Sequence, residues 1–426
     1  MGKGKPVAAD PPLTPGVLRV SRYGAIRSIS EAAEKASDGD QIVVDAGIYT
    51  LGKNREKFPI YIPPRCQLIG PDADKCFIDG GNDREIVERP IHPYQSLVLL
   101  GDEATISGFT IRNSGGNGLS SEQGARVVIT KNSIRDNAQH GILIFGTNGA
   151  MIQDNQFFNN GKAKSKFGGP RPGIGKQGHH IYIEGRTGCT NDVMIIGNMM
   201  EKVFADAIAN DMYDQADGLA MRLQIVGNVI TDCGRNGMSI VSSYGPSGTD
   251  VFVHILNNRI LRTPGNAIDL VVTYSLVNRS ISDAKLVANV LKNEISECGC
   301  GILAVGAYEA SENCKARYST IKNRVEKAKD YGIRVVGGYN LDNLPGWAVQ
   351  NTVVEAMVAD NNISDCKKTP VLIQGGTREK GGVVKDNRVY LHIVANEVIE
   401  NGKKKKPGNG IVIRNGVPNN NVVLVA

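Results

Sequence analysis

Asparagine recurs at one place in a pattern of short apolar strands, nine times along the chain. The motif Asn-x-apolar stands at Asn132/Ile134, Asn155/Phe157, Asn198/Met200, Asn228/Ile230, Asn258/Ile260, Asn293/Ile295, Asn323/Val325, Asn361/Ile363 and Asn396/Val398. Each asparagine follows a β-rich segment such as Val127 to Ile129, Leu223 to Val226 or Val354 to Val358. Eight or nine residues after most of them comes a second apolar strand: Gly141-Ile-Leu-Ile, Ala207-Ile-Ala, Gly237-Met-Ser-Ile, Ala267-Ile-Asp-Leu, Gly301-Ile-Leu-Ala, Gly332-Ile-Arg-Val and Pro370-Val-Leu-Ile. A self-similar unit of about 30 residues marks a repeat architecture, in which each unit buries its apolar side only by stacking on its neighbours. Three short strands per unit, with no Asn-Gly turn between neighbours, do not make hairpins. They make a coil. In a parallel coil equivalent strands stack about 4.8 Å apart, so an asparagine at the same bend of every turn can hydrogen-bond its neighbours in a ladder.

Composition supports a folded chain with many turns and few large core fillers: 50 glycines in 426 residues, 5% aromatic residues and 41% hydrophobic residues. A net charge of +6 over 49 basic and 43 acidic side chains excludes intrinsic disorder. No stretch approaches 18 apolar residues, so no membrane-spanning helix is expected. Met1 to Pro15 lacks the apolar core of a signal peptide. The expected location is therefore cytoplasmic, or extracellular or periplasmic if a leader has been removed. Eight cysteines are too sparse for a disulfide scaffold, and none has zinc-ligand spacing. The basic run Lys403 to Lys406 has no interleaved aromatics and reads as a solvated loop, so no nucleic-acid partner is expected.

The N-terminal block adds a second signal. Ser28-x-x-Glu31 reads as a helix capping box, with Ile29, Ala32, Ala33 and Ala36 on one helical face, and Gly39-Asp40-Gln-Ile-Val-Val-Asp-Ala-Gly47-Ile-Tyr49 follows as a turn and first strand. With these features the chain resembles the right-handed parallel β-helix of the pectin lyase-like superfamily over nearly its whole length. The expected fold is all-β: a single-stranded right-handed parallel β-helix of about ten or eleven coils over residues 17 to 426. A short capping helix is expected at 28 to 37, after a flexible segment 1 to 16. The resemblance implies a fold and not one function, because the superfamily includes polysaccharide lyases, hydrolases, epimerases, phage tailspikes and non-catalytic proteins. The Asn-Thr-Asp, Asp-Asp and Arg-x-Lys signatures of polygalacturonases are not found as a set, and the Asp-Pro-His-Asp motif of mannuronan epimerases is absent.

Strand parity maps an outer face, because alternate residues point in and out. Counting from Gly141 and its equivalents, the outward positions are Leu143/Phe145, Tyr182/Glu184, Ala209/Asp211, Ser239/Val241, Asp269/Val271, Leu303/Val305, Arg334/Val336 and Leu372/Gln374. Long insertions flank this strand, so loops on both sides should make a groove. On its near edge His140, His179, Asp206, Asn236 and Asn266 form a polar column. On its far edge Tyr244, Tyr274, Tyr308 and Tyr339 share one offset, and Tyr213 falls one position earlier. The tyrosines are either an aromatic ladder or a platform for sugar rings.

Glu184 and Asp211 are equivalent residues of adjacent coils, with backbones expected about 4.8 Å apart. Such a pair either shares a proton or shares a cation, for which calcium with Asp214 as a third oxygen ligand is the candidate; no other cofactor is implied. The leading expectation is an enzyme acting on a polysaccharide or oligosaccharide laid along the groove: a lyase, an epimerase or a glycoside hydrolase. His179 or His180 would be the base and Tyr182 the acid for elimination or epimerisation, with His180 facing outward. Glu184 and Asp211 would be the pair for hydrolysis. Asp269 completes the catalytic candidates on the floor, and Asp206, Asn236, Asn266, Tyr213, Tyr244, Tyr274, Tyr308 and Arg334 are the substrate-binding candidates. The alternative is a non-catalytic carbohydrate-binding or structural β-helix such as a stalk, spike or filament. Cys233, Cys298 and Cys366 share one register position with a coil between each pair, about 9.6 Å apart or more, beyond disulfide reach. The segment Asn415 to Ala426 carries no plugging helix, so it is expected to fold over the last coil or to meet another subunit as a homo-oligomer contact.

Overall fold

The asparagines form one continuous ladder in the computed structural model. The Asn132 backbone N–H donates to Asn155 Oδ1 at 3.0 Å, and the same pairing repeats from Asn155 to Asn198, Asn228, Asn258, Asn293, Asn323, Asn361 and Asn396 at 2.9 to 3.0 Å. From Asn132 to Asn361 each Nδ2 also donates to the next Oδ1 and to a main-chain carbonyl, as Asn228 does to Asn258 Oδ1 at 3.0 Å and Ile195 O at 2.9 Å. The residue before every ladder asparagine has a left-handed backbone, from Lys131 (φ 55) to Ala395 (φ 48). Only Gly197 and Gly227 of these nine are glycines. A non-glycine residue there costs on the order of 1 kcal/mol, which the buried amide network offsets at each coil.

The structure describes residues 16–81, 96–122, 124–161, 178–212, 217–274, 280–308, 310–340, 348–378, 383–400, 403–404, 410–415 and 421–425. Three strand stacks make the solenoid. The first face is a sheet of fourteen parallel strands running from Val17–Val20 to Val422–Val425. The second and third faces share one larger sheet, because the long strands Arg259–Thr273 and Glu294–Val305 continue around the corner between them. Fourteen stacked strands are more than the ten or eleven coils expected. Coils before Asn132 and after Asn396 carry no marker asparagine: Phe109, for instance, stands at the bend one coil earlier and donates its N–H to Asn132 Oδ1 at 3.1 Å. Inward residues such as Ile142, Ile144, Ile181 and Ile183 are fully buried in a single core that runs through the solenoid.

The helix Ile29–Lys35 covers the first coils, with Ile29, Ala32 and Ala33 in that core. Ser28 Oγ accepts from Glu31 N at 3.1 Å, while the Glu31 carboxylate pairs with Lys35 at 2.6 Å, so the capping box closes from the serine side. The orphan donors of the first turn are taken by a residue the sequence did not flag. Glu56, fully buried, accepts from Ile29 N at 2.7 Å and Ser30 N at 2.9 Å. A second helical turn, Leu51–Asn54, lies nearby in sequence. No helix among the described residues is long and apolar enough to cross a membrane. Residues 1–15 of the N-terminal segment and residues 416–420 of the C-terminal tail lie outside the described residues.

Candidate functional site

The third face carries the floor that parity anticipated, and its register is the expected one. Leu143, Tyr182, Ala209, Ser239, Asp269, Leu303, Arg334 and Leu372 are successive partners in one column. Phe145, Glu184 and Asp211 are successive partners in the next. The ladder then opens. Main-chain pairing of Ile208–Asp211 with the following strand stops after Ala209 and Ser239, and the buried Asn210 side chain takes both backbone groups of Val241, accepting from its N–H and donating to its C=O at 2.8 Å each. Asp211 sits at this opening.

Asp211 is 6% exposed. Tyr182 donates its hydroxyl to Asp211 Oδ2 at 2.9 Å, and Oδ1 has no partner among the described residues. Burial pushes the carboxyl up to about 8, and the neighbouring Glu184 carboxylate adds to the rise against the opposing hydrogen bond from Tyr182. Asp269, half-buried two coils on, is pushed up to about 7 by burial and by Asp206, and its Oδ1 also lacks a partner. The middle of the floor thus holds two carboxyls with raised affinity for protons beside a partly exposed third, Glu184.

The near-edge column is a second hydrogen-bonded ladder. His140 N donates to Asn117 Oδ1 at 3.1 Å, His179 N to His140 Nδ1 at 3.2 Å, Asn236 N to Asp206 Oδ1 at 2.8 Å and Asn266 N to Asn236 Oδ1 at 2.8 Å. Asp206 is fully buried and also holds Arg235, whose Nε donates to Oδ1 at 2.8 Å. Asp206 and Asn236 therefore support the floor from beneath, and Asn266 is half-buried beside Asp269. Arg235 is a partner of Asp206 that sequence reasoning missed, and its position one residue before Asn236 was the available signal.

The histidines depart from expectation. His180 does not face outward: it is fully buried, with Nδ1 3.0 Å from Asn160 Nδ2 and Nε2 3.1 Å from Glu201 O. Parity fails because the strand begins only at Ile181. The position of His180 is held by glycine in several other coils, where a Cβ at Gly301 or Gly332 would meet the next coil's carbonyl oxygen at 2.3 and 2.7 Å. A large side chain there must turn into the corner, where His180 ends a short ladder begun by Asn137 and Asn160. His179 is also fully buried, stacked with His140 at 5.3 Å and Tyr182 at 5.2 Å. Burial pushes both His179 and His180 down to about 3, so neither is suited to take a proton from a substrate.

Tyr244, Tyr274, Tyr308 and Tyr339 are stacked on one another, with centroids 5.8, 5.4 and 4.9 Å apart and tilts near 50°. They cover Val241, Val271, Val305 and Val336, forming an outer apolar cluster separate from the core. The tyrosines thus form a packed aromatic ladder over these valines, with Tyr339 buried and the other three half-buried. Arg334 donates from Nε and Nη2 to Gln374 Oε1 at 3.2 and 3.0 Å. Tyr213 and Asp214 lie outside the described residues. Among the described residues no group of three or more acidic, histidine or cysteine side chains is placed to hold a metal ion. Two cavities lie away from this face: one of about 890 Å³ beside Arg22, Arg27, Arg55 and Glu31, and one of about 410 Å³ between Arg317, Glu355, Met357 and Tyr390.

The model of the right handed beta helix region matches residues 91–281. No curated protein sequence matches the chain. Solved structures resemble its fold at low identity. The catalytic unit of a thermostable GH87 α-1,3-glucanase from Streptomyces thermodiastaticus is 13% identical at a TM-score of 0.49, over 99% of this chain and 70% of that one. PfbA, a surface adhesin of Streptococcus pneumoniae, is 14% identical at 0.45, over 93% and 99%. A polygalacturonase from Erwinia carotovora ssp. carotovora is 10% identical at 0.44, over 96% and 100%. Family match, parallel stacking and asparagine register agree: the chain folds as a right-handed parallel β-helix, and residues 91–281 match the right handed beta helix region.

Proposed function

We propose that the chain is a polysaccharide-active enzyme, and that it hydrolyses a glycosidic bond with Asp211 as the acid and Glu184 as the second carboxyl. One observation carries this reading: Asp211 is buried beside Glu184 on the next coil, and its carboxyl is pushed up to about 8, so it holds a proton at neutral pH. Because Tyr182 O–H occupies Oδ2, the proton belongs on Oδ1, the oxygen without a partner among the described residues. Donated to the glycosidic oxygen, it lets the leaving sugar depart neutral. Backbones one coil apart, about 4.8 Å, suit the short carboxyl separation of about 5 to 5.5 Å used by retaining enzymes. Glu184 would then attack the anomeric carbon, and Asp211, now ionised, would take a proton from the water that releases the sugar. Elimination and epimerisation are less well supported, since the histidines required as base are buried and weakly basic.

The test is product analysis with neutral and acidic polysaccharides. New reducing ends without an unsaturated, ultraviolet-absorbing product are expected. They should disappear in Asp211→Asn and in Glu184→Gln, while the melting temperature stays at or above the wild-type value for Asp211→Asn. Turnover surviving in both variants would refute the assignment; unsaturated product would make the enzyme a lyase. Binding without any product would support a non-catalytic role.

A further inference from the structure

Among the half-buried arginines, Arg112 and Arg135 have carboxylate partners, while Arg186, which lies over the Phe145 ring, and Arg334 have none among the described residues. Arg112 pairs with Asp79 and Arg235 with Asp206. Exposed arginines are paired too, as Arg262 with Asp232 and Arg317 with Glu355. Arg334 is half-buried and forms no salt bridge among the described residues. Among the described residues its one hydrogen-bond acceptor is the neutral amide of Gln374, and its guanidinium carbon lies 5.3 Å from the ring centroids of both Tyr331 and Tyr339. The π faces stabilise the cation without neutralising it. Lys368 lies close enough to Arg334 to feel its charge, and its own partner, Asp330 at 2.7 Å, is already engaged. Two cations thus share one carboxylate toward this end of the floor, while Glu184, Asp211 and Asp269 lie nearer its middle.

A guanidinium has five N–H donors, and Gln374 engages two of them, leaving three in a planar array suited to an oxyanion. We infer that Arg334 is an anion subsite of the groove, receiving a carboxylate or sulfate carried on a sugar of an acidic polysaccharide. Arg334 lies four coils from Asp211, about 19 Å along the solenoid axis, so several sugar units separate the charge that is held from the bond presented to Asp211. Holding one charged unit there would set the register of the polymer; that part of the inference rests on the hydrolase reading, whereas the binding part does not.

The experiment measures binding in the Asp211→Asn background, where cleavage does not complicate affinity. Affinity electrophoresis with polygalacturonate, dextran sulfate and uncharged dextran is compared for Asp211→Asn alone, with Arg334→Met and with Arg334→Lys. At least a tenfold loss for polygalacturonate, for dextran sulfate or for both is expected with Arg334→Met, with partial recovery in Arg334→Lys and no change for dextran. Which polymer responds identifies the anion as carboxylate or sulfate. No binding of either acidic polymer by the Asp211→Asn protein, equal binding with and without Arg334, or an equal loss for uncharged dextran would each overturn the inference. The last result would mean that the Tyr331 and Tyr339 packing had been disturbed instead. Binding that depends on Arg334 in a protein whose wild type cleaves nothing would refute the hydrolase reading and leave the subsite standing.

Discussion

Asp211→Asn should make the protein more stable, and increasingly so as pH rises. The native carboxyl is raised from 3.8 to about 8, so between those values the folded chain keeps a proton that the unfolded chain has lost. A raised carboxyl contributes stability at low pH that is lost as pH climbs toward the folded value, at about 1.36 kcal/mol per unit. From pH 5 to pH 8 the loss is on the order of 4 kcal/mol. A chain of 426 residues has an unfolding entropy of about 0.9 kcal/mol/K, so the equivalent change in melting temperature is about 4 to 5 °C. Asparagine mimics the protonated form at every pH and removes this term. Calorimetric melting at pH 5 and pH 9 should therefore show the variant gaining about 4 to 5 °C on the wild type between the two conditions. An unchanged gap would mean that Asp211 is ionised in the native state at neutral pH, and its role as an acid would fall with it.

Two further predictions concern the scaffold. Asn228→Ala removes hydrogen bonds to Ile195 O, Val226 O and Asn258 Oδ1 and leaves Asn198 N without its acceptor; with about 1 to 3 kcal/mol for each buried group left unpaired, urea unfolding should show a loss of at least about 3 kcal/mol, and a loss below about 1 would deny the ladder its structural weight. All eight cysteines are free and seven are buried, so a thiol reagent should label at most Cys189 in the native protein and all eight in denaturant; native disulfides would contradict the register.

The register was legible because one residue type does one job at one bend. The backbone groups there can be satisfied by asparagine in every coil, so the sequence repeats even where strand lengths vary. From that register, parity alone brought Glu184 and Asp211 together and put Asp269 and Arg334 on the same floor. Parity could not handle residues outside extended backbone, which is why His180 was turned the wrong way. It also could not tell a polar side chain on a surface from one hydrogen-bonded within a column. Asp206 and Asn236 look like groove residues until the N–H groups of the next coil are seen to need their oxygens. The wall of tyrosines has a similar cause: the valines beneath are outward by parity, and only a neighbouring aromatic side chain can cover them. Glu56 was out of reach because its partners lie 27 and 26 residues earlier, across a coil boundary.

The asparagine ladder is indifferent to how much chain lies between its rungs. Asn132 and Asn155 are 23 residues apart and Asn155 and Asn198 are 43 apart, yet the two backbone bonds measure 3.0 and 2.9 Å and the two amide bonds 3.2 and 3.1 Å. Twenty extra residues leave the corner where it was. Closing a longer loop adds only about 0.6 kcal/mol per doubling of its length, so the scaffold behaves as a rack that accepts cassettes of different size between its rungs. Exchange of those cassettes would leave Glu184 and Asp211 paired on adjacent coils. Loop content and coil geometry can then vary independently in a protein built on this plan.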